Sequence, residues 1–82
     1  MGRFVYVYIL KSRSSPERYY VGYTTDLKAR LRDHNRGHVR HTSKFIPWDI
    51  NTAIAFTVVD RALAFERYLK SASGRAFSRR RL

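Results

Sequence analysis

The sequence predicts an α+β domain, a small antiparallel three-stranded sheet flanked by helices in the order β-β-α-β-α-α. Three observations carry that prediction. Two runs of β-branched and aromatic residues near the N-terminus are separated by a segment of turn formers. Two later stretches repeat apolar residues at helical spacing. A third β-branched run lies between those stretches, which leaves room for one more strand.

The first strand is expected over Arg3 to Lys11. Phe4, Val5, Tyr6, Val7, Tyr8, Ile9 and Leu10 give it no polar face, so a central position in the sheet is predicted. Ser12 to Arg18 contains Pro16 between serines and charged residues and reads as a hairpin loop, after which Tyr19 to Tyr23 supplies the second strand. Thr24 or Thr25 can cap the following helix, Asp26 suits its positive end, and Gly37 is placed to stop it, giving a first helix over Asp26 to Arg36. Along that helix Leu27, Leu31 and His34 follow i, i+4, i+7 spacing and Arg30 falls on the same side, so the inward stripe carries two polar side chains. His38 to Trp48 has no period and is rich in cationic and hydroxyl side chains. It reads as a phosphate-facing surface loop anchored by Pro47 and Trp48. Thr52 to Val59 is the third strand. Asp60 is expected to cap a second helix running to about Ser71, which buries Ala62, Phe65 and Leu69 and places Glu66 on the same inward side. Gly74 to Leu82 fits a short basic helix with Ala76 or Phe77 turned inward.

At 82 residues the chain reads as one domain, 1–82, because a unit this small buries only about 60% of its unfolded surface and cannot be divided further. Without Cys it has neither a disulfide framework nor a Cys-based zinc site, and a reducing, cytoplasmic setting is expected. Val5 to Leu10 is too short to span a membrane. The 17 Lys and Arg against 6 Asp and Glu give a formal net charge of +11. A surface so charged attracts polyanions, and nucleic acid is the first candidate because neutralising phosphates releases condensed counterions. An anionic membrane would require a broad amphipathic basic helix, and the sequence has no convincing one.

Phosphodiester hydrolysis requires a group that prepares water, a cation that takes up charge on the phosphoryl oxygens, and a route for the leaving alkoxide. Tyr8 and Tyr20 on neighbouring strands, Arg30 and His34 on the first helix and Glu66 on the second are candidates to converge on one pocket. Taken singly, each has an ordinary structural explanation. Strand tyrosines pack, Arg30 can snorkel, His34 can sit at a helix end, and Glu66 can pair with Lys70 at i, i+4 for about 0.2 to 0.5 kcal/mol.

Their order is more informative than any one of them. Tyr6-Val7-Tyr8 and Tyr20-Val21-Gly22, followed by Gly22 to Leu27, Arg30-Leu31, His34-Asn35 and Phe65 to Ser71, resemble the GIY-YIG nuclease superfamily over essentially the whole chain. The likeness is greatest to its small standalone members, which share Thr42, Lys44, Pro47-Trp48 and a stretch like Ser71 to Arg75. The resemblance implies a metal-dependent endonuclease acting on DNA. Tyr8 would act as general base or orient the attacking water, Tyr20 would help position water or phosphate, and Arg30 would steady the phosphate. Glu66 would hold a single divalent ion, Mg²⁺ or Mn²⁺, with His34 at a helper position. Lys11, Arg40, His41, Lys44, Arg75 and Arg79 are the expected phosphate contacts. Two departures stand out: Tyr6 replaces the family's first Gly, and no Asn follows Glu66. Specificity would come from the domain itself, including the His38 to Trp48 loop and the arginine tail, or from a partner protein. Two other classes stay open on the residues: a non-cutting nucleic-acid-binding module, and a protein associated with RNA or the ribosome.

Overall fold

The computed structural model describes residues 3–82. Its strands are β1 (Val5–Ser12), β2 (Tyr19–Thr24) and β3 (Trp48–Phe56), and its helices α1 (Leu27–Asn35), α2 (Val59–Lys70) and α3 (Ala72–Arg81), with a 3-10 turn at Ser43–Phe45. The sheet is antiparallel with strand order β2-β1-β3. The element order and the central place of β1 are as the sequence predicts. Val7, Tyr8, Ile9 and Leu10 are all buried because β1 alone is covered on both faces and both edges.

Alternation along β1 divides the interior into two cores. Val5, Val7 and Ile9 point to one face and pack with Ala62 and Leu69 of α2, joined by Phe65, and by Phe77 of α3. Tyr8 and Leu10 point to the other face and pack with Trp48, with Leu27 and Leu31 of α1 against them. Helix α1 therefore covers one face of the sheet and α2 with α3 the other.

Helix α1 starts at Asp26, whose carboxylate accepts from the Ala29 amide at 3.0 Å, so Asp26 rather than Thr24 or Thr25 is the cap. Thr24 instead accepts from the Asp26 amide at 3.1 Å and fixes the approach of the chain. At the other end the His38 amide bonds to Asp33 O at 3.0 Å and the Gly37 amide to His34 O at 3.1 Å. This crossed pair, with Gly37 at φ +77°, is the Schellman stop that the sequence placed at Gly37.

Three expectations are corrected. Strand β3 begins at Trp48, four residues before Thr52, and ends at Phe56. The register steps from Ile9 opposite Thr52 to Leu10 opposite Ile50, so Asn51 is a bulge residue. The polar Asp49 and Asn51 hide this half of the strand from a hydrophobicity reading, since β3 is an edge strand with one face in water. Val58, not Asp60, is the N-cap of α2, and Asp60 lies inside its first turn, where it still favours the positive helix end. Finally, the Pro47 side chain is exposed and Pro47 ties the segment down through its carbonyl, which accepts from the Arg13 amide at 2.8 Å, while the buried side chains of Thr42 and Trp48 anchor the His38 to Trp48 segment. Asn35 at the end of α1 holds Trp48 by both backbone groups, accepting from its amide at 2.6 Å and donating to its carbonyl at 3.1 Å. Replacing Asn35 by Ala leaves both groups without these partners, and we expect a loss of about 1 to 3 kcal/mol in urea unfolding. An unchanged midpoint would show that water replaces Asn35 without cost.

Candidate active site

Tyr8, in the middle of β1, faces Gly22 directly across the β1–β2 ladder. Its ring lies where a Gly22 side chain would be. A Cβ on Gly22 would stand 2.5 Å from the Tyr8 hydroxyl oxygen and 3.1 Å from the Tyr20 ring. Any larger residue must push the two tyrosines away, so the Gly of Tyr20-Val21-Gly22 is required by packing and not by a turn. Gly22→Ala is expected to destabilise the domain by about 1 to 3 kcal/mol. Thermal unfolding checks this: a Tm within 2 °C of the parent, against the roughly 4 to 8 °C expected per kcal/mol in a domain this size, would contradict it.

The Tyr8 hydroxyl is part of a directed chain of hydrogen bonds. It lies 3.0 Å from His34 Nε2, while His34 Nδ1 lies 2.8 Å from Thr42 Oγ1. Thr42 Oγ1 is also 3.2 Å from the Val39 carbonyl, which can only accept. When the single Thr42 proton is given to Val39, His34 Nδ1 donates to Thr42 and His34 Nε2 carries the lone pair. It follows that Tyr8 O–H donates to His34. Arg30 Nε approaches the same phenol oxygen from the other side at 3.4 Å, a long contact that leaves the oxygen room for another partner.

Electrostatics agree with this assignment. Burial, followed by the nearby charge of Arg30, lowers the His34 pKa to about 4, so the ring is neutral at pH 7 and able to accept. Burial pushes the Tyr8 phenol above its usual range, against the opposing hydrogen bond and charge of Arg30. Tyr8 thus rests as a neutral phenol whose proton direction is fixed by His34.

Tyr8, Tyr20, Arg30 and Glu66 line one cleft of about 640 Å³, together with Gly22, Lys70 and the Tyr23 to Thr25 segment. It opens along β2, an edge strand, where Arg30 from one face of the sheet and Glu66 from the other both reach. Of the five residues predicted to converge, four line this cleft. His34 stands behind Tyr8, fully buried, and acts on the cleft only through the phenol. Tyr20 packs beside both, its ring centroid 5.0 Å from that of His34 and 6.4 Å from that of Tyr8. The inward placement of Glu66 and its pairing with Lys70 are both present. Lys70 Nζ is 2.7 Å from Glu66 Oε2, and Lys70 itself borders the cleft.

The expected phosphate contacts are more scattered. Lys11, Arg40, His41 and Lys44 are exposed, and none lines the cleft. Arg75 and Arg79 line a separate groove. Thr42, which sequence reasoning treated as part of a surface loop, is buried and fixes the His34 tautomer. The one signal for it was its place in the family resemblance, since hydroxyl content alone does not distinguish a phosphate contact from a buried acceptor.

Among the described residues no group of three or more His, Asp or Glu side chains comes together to hold a metal ion. A fully protein-built cage is thus not available. A single carboxylate at the rim of an open cleft does fit a hard cation that keeps several waters and takes further oxygens from a phosphodiester.

Two strand tyrosines, an arginine from the first helix and a carboxylate from the second thus gather at the edge of a three-stranded sheet. The family is settled by sequence comparison: residues 4–80 match the GIY-YIG catalytic domain, and the chain belongs to that family. It is 35% identical over 71 residues to a UPF0213 protein of Streptococcus pneumoniae serotype 4, covering 85% of this chain and 70% of that one. A UPF0213 protein of Haloquadratum walsbyi is 36% identical over 72 residues, 87% of this chain and 79% of that protein. The structure-specific endonuclease subunit SLX1 homolog of Giardia intestinalis is 37% identical over 65 residues, 74% of this chain but 18% of its own length. No helix among the described residues is long and apolar enough to cross a membrane.

Proposed function

We propose that this chain is a divalent-metal-dependent endonuclease that hydrolyses phosphodiester bonds in DNA. The observation that carries the proposal is the Tyr8 hydroxyl. It is hydrogen-bonded to a neutral His34 and to Arg30, on a buried residue that lines a cleft shared with Arg30 and Glu66. Membership of the GIY-YIG family and likeness to a protein named as an endonuclease subunit support the same chemistry.

In this reading the scissile phosphate lies in the cleft with Arg30 against a non-bridging oxygen. Tyr20 forms the wall that holds the attacking water in line. As water attacks phosphorus, its proton passes to the Tyr8 oxygen and the Tyr8 proton passes to His34 Nε2; the ester P–O bond breaks and the leaving alkoxide takes a proton from solvent. In the resting protein the transfer from Tyr8 to His34 is uphill, because one pKa is raised and the other lowered. A bound phosphodiester adds a negative charge that favours the transient imidazolium. The low pKa of His34 then sends its proton back to the Tyr8 oxygen as that oxygen releases one to solvent, which replaces the proton taken by the alkoxide and resets the site. Glu66 would hold the divalent ion, which when bound supplies charge neutralisation on the phosphoryl and leaving oxygens.

The test incubates labelled single-stranded, duplex and branched DNA with the protein in Mg²⁺, Mn²⁺ or EDTA. Cleavage that requires metal is expected on at least one form. Binding without cleavage on every form would instead make the chain a nucleic-acid-binding module.

A further inference from the structure

A second groove, larger than the catalytic cleft at about 720 Å³, runs between the start of β2 and the helices α2 and α3. The mechanism above does not use it. Ile9, Val21 and Leu69 form an apolar floor, Arg75 and Arg79 of α3 stand at its rim, and Tyr19 lies at its β2 side. Tyr20 and Lys70 line both this groove and the catalytic cleft, so the two cavities share a wall.

We propose that this groove binds a single-stranded stretch of nucleic acid continuous with the strand in the catalytic cleft. Three features fit that occupant. First, Arg75 and Arg79 are exposed, and neither pairs with a carboxylate among the described residues, so both guanidinium groups are available to phosphates. Second, Tyr19 is 55% exposed although it lies in a strand. Its ring carries the Lys11 ammonium 5.9 Å from the centroid, so an aromatic surface and a cation stand together beside the apolar floor and can meet an unstacked base with its phosphate, whereas a duplex keeps its bases stacked inside and offers only backbone. Third, Lys70 lies at the junction, its ammonium on Glu66. A strand crossing from one cavity to the other must pass this cation, and its phosphates compete with Glu66 for it.

The inference extends the nuclease reading, but its test needs no cutting. Anisotropy of a fluorescent ten-nucleotide single strand and of the matching duplex would be measured in EDTA across a salt series. The proteins are the full chain, Arg75→Ala/Arg79→Ala, Tyr19→Ala, and Arg32→Ala/Arg36→Ala, which removes equal charge from exposed positions of α1 and its cap. We expect the α3 double variant to weaken single-strand binding about tenfold or more. It should also flatten the slope of log affinity against log salt by about 1.4, or about 0.7 for each lost phosphate contact. Tyr19→Ala should weaken binding about fivefold or more with the slope unchanged, and the α1 pair should change it less than threefold. Arg75→Lys/Arg79→Lys, which retains charge, should keep the slope and thereby exclude misfolding as the cause. Equal losses in the α1 and α3 pairs, or equal losses on duplex and single strand, would overturn the groove assignment. Groove effects as expected, with no cleavage in Mg²⁺ or Mn²⁺, would remove the nuclease reading and leave the groove standing.

Discussion

Glu66→Gln is expected to lower metal-dependent cleavage by at least roughly a hundredfold, the scale on which a preorganised electrostatic partner of a transition state acts, while leaving fold and binding in place. Gln has the same shape and retains an oxygen for Lys70, so the change removes charge and little else. The fold should tolerate it. The Glu66–Lys70 pair is an i, i+4 contact with Lys70 half in water, and such pairs contribute less than about 1 kcal/mol. Affinity for DNA in EDTA should stay the same or rise, because one negative charge leaves a chain with a formal charge of +11. Single-turnover cleavage over a Mg²⁺ series, beside anisotropy in EDTA, separates these effects. Cleavage that survives at parental rates would deny Glu66 a part in holding metal. A parallel fall in binding and cleavage would mean that Glu66 shapes the cleft instead.

The sequence made some of this site visible because the relevant positions break a local rule. His34 and Arg30 interrupt an apolar stripe on α1, and Glu66 does the same on α2, so each polar residue could be placed inward from periodicity alone. Buried Tyr8 followed from a strand with no polar face. What stayed hidden depends on partners far apart in sequence. Thr42 is eight residues from His34 and in no regular element, yet its hydroxyl engages His34 Nδ1 at 2.8 Å and so helps turn Nε2 toward Tyr8. Gly22 reads as part of a tripeptide, but its reason is the Tyr8 ring across the ladder. The early start of β3 was concealed by Asp49, which faces solvent and forms an ion pair with Arg13 at 2.7 Å. Edge strands tolerate such residues, and a pattern search assigns them to the loop.

The same hydrogen-bond chain makes the domain sensitive to acid. The His34 pKa is about 4 in the folded chain against 6.5 for an unperturbed imidazole, so between those values the unfolded chain binds a proton that the folded one refuses. Stability due to His34 is therefore complete above pH 6.5, falls as pH drops from 6.5 to 4, and is flat below. At about 1.36 kcal/mol per pKa unit the loss amounts to roughly 3 kcal/mol, an upper bound that water entry would reduce. Urea midpoints measured from pH 4 to 7.5 should decline over this window in the parent. His34→Gln, which keeps polar atoms near Tyr8 and Thr42 without titrating, should show a flatter profile. Identical pH profiles would mean that His34 binds its proton equally well in the folded and unfolded chain, and would remove its contribution to acid sensitivity. Chemistry follows the folded pKa instead: protonated His34 has no lone pair for Tyr8, so cleavage by the folded protein should hold through the window in which stability declines and fall only as pH approaches 4.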